Sequence, residues 1–101
     1  MTPGPGGGVP AAPNLARITA TYLQVARSTD SPRKWLLRLL VDSVNVVHGG
    51  EFVRPGDEVD AFTFDPVEEP TAGASLRAEA EFVGGPRGGT FHLHRVEQTE
   101  P

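Results

Sequence analysis

The amino-acid sequence predicts an all-β protein, a small five-stranded barrel, from three observations. Five segments, near residues 15–28, 35–47, 58–64, 76–82 and 91–94, alternate apolar and polar side chains with the period of two that a pleated strand requires. Between them stand Ser31-Pro32, Pro55-Gly56, Pro66 to Gly73 and the run Gly84-Gly-Pro-Arg-Gly-Gly89, residues that break strands and allow reversals. The longest apolar segment, Trp35 to Val47, is rich in β-branched residues in its second half, and these pack better on a sheet than in a helix.

Residues 1–14 carry Pro3, Pro5, Pro10 and Pro13 with several glycines and almost no apolar side chain, so ordering them costs backbone entropy with little burial in return. They are expected to form a disordered Pro/Gly-rich tail ahead of a domain spanning 15–97, with a frayed end at 98–101. In the first strand Ile18, Ala20 and Tyr22 share one face, and Leu23 and Val25 then take over on the opposite parity.

Residues 35–47 admit two readings. A helix is supported by the Asp30-Ser31-Pro32 start signal and by Gly49-Gly50 as a stop. As a strand, the segment puts Trp35, Leu37, Leu39 and Val41 on one face and Val44 and Val46 on the other. The switch near Asp42-Ser43 implies a bulge or a strong coil, the device that lets one strand serve two sides of a closed barrel. The strand fits the valines better. A helix here would give an α+β domain instead, and a small β-sandwich is a further alternative.

Pro55-Gly56 suits a type II turn, since proline presets the first φ and glycine accepts the positive second one. The next strand carries Val59, Ala61 and Thr63 on one side and Phe62 and Phe64 on the other, and Asp65 to Ser75 follows as a solvated loop. In the final hairpin, symmetric closure of the Gly84–Gly89 loop pairs Phe82 with Phe91 and Ala80 with Leu93 inside. The same register pairs Glu81 with His92 and Glu79 with His94 outside.

At 101 residues with 38% apolar content the chain can bury one modest core, which leaves no room for a large enclosed active site. It has no cysteine, so disulfides, thiolate metal sites and cysteine nucleophiles are excluded and the redox compartment is undetermined. No run of 18 apolar residues and no secretory leader pattern is present, so no membrane partner and a cytoplasmic location are expected. Eight of the nine basic residues are arginine, which points to a GC-rich bacterial genome.

The paired face switches in the first two strands, the link Val53-Arg-Pro-Gly-Asp-Glu-Val59 and the glycine-rich final hairpin together resemble the OB-fold over about residues 15–97. No specific family within that superfamily is matched, and Pro66 and Pro70 leave little room for the helix that many OB-folds place after the third strand. The resemblance implies a ligand face on strands two and three and on the loops joining strands one to two and four to five.

Charge is uneven along the chain despite a net −4. Residues 15–41 hold Arg17, Arg27, Arg33, Lys34 and Arg38 against Asp30 alone, while residues 51–81 hold nine acids against Arg54 and Arg77. Within the implied face, Trp35 flanked by Arg27, Arg33, Lys34, Arg38 and Arg87 suits single-stranded DNA or RNA, because bases stack on an aromatic ring and phosphates seek cations. The competing account buries Trp35 in the core and pairs the arginines with the acidic half. The acidic total opposes long-range attraction to nucleic acid. The functional expectation is a non-enzymatic binding module without cofactor. The alternative is a protein-interaction or assembly domain whose partner is another protein, using its acidic face or a free sheet edge.

His92 and His94 share a strand face, a spacing that can present two imidazoles to a metal, with His48 as a third. Cross-strand ion pairs with Glu81 and Glu79 are the simpler account, and no metal site is expected. Asp65, Glu68 and Glu69 match no calcium-loop template. Asp57, Glu58 and Asp60 form no acid–base pair, no serine-nucleophile motif occurs, and the glycine-rich loop lies in a hairpin without the helix and lysine of a phosphate loop.

Overall fold

The structure, a computed structural model, describes residues 12–85 and 88–99. It contains β1 (Leu15–Arg27), β2 (Lys34–His48), β3 (Glu58–Phe64), β4 (Ser75–Gly85) and β5 (Gly88–Thr99). These close into a barrel in the order β1-β2-β3-β5-β4, compatible with an OB-like fold. The contact between β3 and β5 is parallel and all others are antiparallel. The described residues contain no helix, and so none long and apolar enough to cross a membrane. Residues 35–47 are therefore extended, which removes the helical alternative and the α+β class. The sheet closes on itself, which removes the sandwich.

Two one-residue bulges give β1 and β2 their face switches. Ser43 pairs with Thr19 and Val41 with Ala20, so Asp42 is the extra residue on β2. Past it, parity inverts and Val44 packs against the same core as Val41. On β1, Tyr22 pairs with Leu39 and Gln24 with Arg38, so Leu23 is the extra residue. It faces outward while Val25 returns to the core. Each bulge coils its strand sharply enough to cross from one side of the barrel to the other.

The core is filled from every strand, chiefly by Ile18 and Tyr22 of β1, Leu39 and Val41 of β2, Leu76 of β4 and Leu93 of β5. Alanines at 20, 61, 78 and 80 are also buried, and their small volume lets the barrel close around these larger side chains. The β3–β5 seam is short, with Ala61 opposite Phe91 and Phe62 opposite His92. Two side chains reinforce it: the buried Thr63 hydroxyl donates to the Leu93 carbonyl at 3.1 Å, and the Thr90 hydroxyl donates to the Asp60 carbonyl at 3.1 Å. A threonine on an inward parity is thereby satisfied rather than stranded.

Pro55-Gly56 forms the expected turn, with Gly56 at φ +94° and the Asp57 N–H donating to the Arg54 carbonyl. The final hairpin keeps the expected register, but its pairing runs down to Gly85 opposite Gly88, so the loop is tighter than six residues. Gly89 is required there, since a Cβ would overlap the Phe82 ring. At the C-terminal end β5 continues to Thr99, because Gln98 and Thr99 pair with Leu76 and Ser75. The Gln98 amide oxygen also accepts from the Thr71 N–H at 3.2 Å.

Asn14, assigned by composition to the tail, is buried. Its side chain accepts from the Phe82 N–H at 2.8 Å and donates to the Phe82 carbonyl at 3.1 Å, continuing the β1–β4 edge by one amide. Residues 1–11 of the expected tail and the last two residues of the expected frayed end lie outside the described residues.

Candidate aromatic binding face

Strand pairing alone lines up a row of side chains on the outside of the barrel. The β2–β3 register sets Leu36 opposite Phe62 and Lys34 opposite Phe64, the β3–β5 seam sets Phe62 opposite His92, and the β4–β5 register sets His92 opposite Glu81. Residues directly opposite on one face of a sheet touch. Here an aliphatic, an aromatic, an imidazole and a carboxylate succeed one another across four strands.

The rings are packed together rather than scattered. Phe62 and His92 are stacked with centroids 4.7 Å apart and planes 18° inclined, and Phe64 meets both edge-on at 5.8 and 5.7 Å. The Lys34 ammonium lies 4.7 Å from the Phe62 centroid and 5.9 Å from that of Phe64, within cation–π range. Phe64 is 45% exposed and Leu36 44%, so this is an apolar patch open to solvent. Burial pushes the His92 imidazole below the ordinary histidine range, helped by the neighbouring His94 and Lys34 and opposed by Glu81. The shift favours the neutral imidazole.

Four of the five described residues expected to meet phosphate or base are already engaged. Arg27 places its guanidinium 4.8 Å from the Trp35 ring centroid and pairs with Glu69 at 3.7 Å. Arg33 donates to Asp65 through Nε at 2.6 Å, and Arg38 pairs with Asp60 at 2.9 Å. Trp35 itself sits opposite Thr63 on the inner side of the sheet and packs against the core with Arg27 over its ring. These are the contacts that the core-and-ion-pair account describes. Lys34 differs: among the described residues it faces aromatic rings and pairs with no carboxylate. Arg87 lies outside the described residues.

The outward histidines also differ from expectation. His94 pairs with Glu81 at 3.3 Å, not with Glu79. Glu79 is drawn away by Arg95 at 3.7 Å and Arg17 at 4.0 Å, after β5 bulges where Arg95 adopts φ +52°.

The aromatic face was written in the sequence as parity but hidden as a site. Phe62 and Phe64 occupy the outward positions of a strand whose inward positions are the small residues Ala61 and Thr63, and two aromatics on solvent parity are the available signal. That His92 joins them depends on the β3–β5 pairing, a contact between strands far apart in the chain. Comparison with protein-family models, with curated proteins and with solved structures finds no match to this chain.

Proposed function

We propose that this barrel is a non-enzymatic OB-like binding module for single-stranded nucleic acid, with a base stacking on the exposed Phe64, which the Phe62–His92 pair supports, while Lys34 meets a phosphate. The observation that carries this reading is the open aromatic row on the outer face of β2, β3 and β5, with its cation above the rings. Strands two and three are where OB-folds take oligonucleotides, and base–aromatic stacking is tolerant of sequence. The stacking role expected of Trp35 passes in this reading to Phe64, which is open to solvent, because Arg27 already covers the indole. Arg33 and Arg38 are held by Asp65 and Asp60, so their part is to frame the face.

The net charge of −4 works against long-range attraction, so stacking supplies most of the affinity in this reading. A labelled oligothymidine titrated at low salt tests it. Wild type should bind, and Phe64→Ala should lose about 1 to 3 kcal/mol, the scale of one base stack. Equal affinity for wild type and Phe64→Ala would remove the face from the proposal. Absence of binding by wild type would leave the protein-interaction domain as the better reading.

A further inference from the structure

We propose that Glu81, His92 and His94 form a surface site for a borderline divalent transition-metal ion such as Zn²⁺ or Co²⁺. This inference rests on the geometry of those three residues and stands whether or not nucleic acid is bound. One ligand atom from each lies within 4.8 Å of the other two. A tetrahedral ion bound at about 2.1 Å spaces its ligand atoms about 3.4 Å apart. The His94 Nε2 to Glu81 Oε1 separation of 3.3 Å already has that value, so only modest side-chain rotation is needed to close the set. His48, the third imidazole suggested by sequence, pairs with Leu15 at the far end of β2, and the carboxylate of Glu81 takes its place.

The three residues stand on paired strands and are in contact with one another, and His92 also with Phe62. All three project from the antiparallel β4–β5 ladder, where Glu81 and His92 are direct partners. His92 is fixed by stacking on Phe62, and the His92 and His94 ring centroids are 4.0 Å apart. Because Glu79 is engaged by Arg17 and Arg95, His94 leans diagonally to Glu81 and the three ligand groups converge. The side chains of His94 and Glu81 are 40% and 43% exposed, which leaves the outer side open for water or a further ligand. Two imidazoles and one carboxylate favour Zn²⁺, Co²⁺, Ni²⁺ or Cu²⁺ over Mg²⁺ and Ca²⁺, which prefer all-oxygen sets. Lys34, on the neighbouring rings, opposes a cation here, so its removal should strengthen binding.

The test is titration of the untagged full chain with Co²⁺ and Zn²⁺. Wild type should take up one equivalent with a visible Co²⁺ d–d band, and saturating Zn²⁺ should raise the thermal midpoint by several degrees while equal Mg²⁺ does not. His94→Gln and Glu81→Gln, both at partly exposed positions, should each weaken Zn²⁺ binding more than about tenfold without changing the midpoint measured in chelator. Lys34→Met should tighten it. No stoichiometric Co²⁺ band in wild type, or unchanged Zn²⁺ affinity in the Glu81→Gln and His94→Gln variants, would overturn the site. An oligonucleotide titration of metal-free protein separates this outcome from failure of the nucleic-acid reading.

Discussion

The imidazole of His92 lies flat on the phenyl ring of Phe62, 4.7 Å between centroids, across the parallel seam that closes the barrel. The same contact joins the two halves of the outer face. It ties the aromatic residues of β3 to the histidine and carboxylate pair of β5 and β4, so one short pairing serves both barrel closure and the assembly of a surface.

In the nucleic-acid proposal, Lys34 is the cation that meets a phosphate. With one such contact, the logarithm of oligonucleotide affinity should fall against the logarithm of salt with a slope of about −0.7, far shallower than for a basic groove. Lys34→Met should flatten even that slope. Fluorescence anisotropy at several salt concentrations checks both, and a slope several times steeper would point to cations elsewhere.

Trp35 and Phe64 should separate stability from binding. Trp35 packs on the core, so Trp35→Ala should cost roughly 2 to 4 kcal/mol in urea unfolding. Phe64 is 45% exposed, so Phe64→Ala should cost less than about 1 kcal/mol.

Asn14→Ala should destabilise by roughly 2 to 3 kcal/mol, because it leaves both the N–H and the carbonyl of Phe82 without the amide that pairs them. Asn14→Asp restores the acceptor but not the donor and should fall between. Equilibrium denaturation of the three proteins gives the order, and a neutral Asn14→Ala would show that the amide contributes nothing.

Tyr22 is the single tyrosine, and burial first, then the charge of Glu68, pushes its phenol up to about 12. The unfolded phenol ionises near 10.0, ahead of the folded one, so ionisation favours unfolding. The contribution is intact below about pH 10 and is lost as pH rises through about 12, amounting to at most about 3 kcal/mol. Absorbance titration at the tyrosinate band should show no ionisation near pH 10 while the fold persists. Tyr22→Phe should remove this alkaline loss.

The sequence by itself determined the class of fold and most of its inner surface. Alternation grouped Ile18 with Tyr22 and Leu39 with Val41, each pair on one face, named Ala80 and Leu93 as inward, and through the parity change near Asp42 foretold the bulge that carries Val44 back to the core. Those are local consequences of a period of two, and local pattern is what a chain carries openly. The final hairpin was legible for the same reason, since a short loop with matched alternation on either side leaves one good register. Tertiary structure decided which outward residues meet. Phe62 and His92 are 30 positions apart and touch only because β3 and β5 pair in parallel. Arg38 is paired only because β3 brings Asp60 and Glu58 beside it, and His94 turns to Glu81 as Arg95 and Arg17 take Glu79. Composition could name the basic, acidic and aromatic residues, but the partner each one finds depends on strand order and on a bulge, and these arise only when the sheet closes.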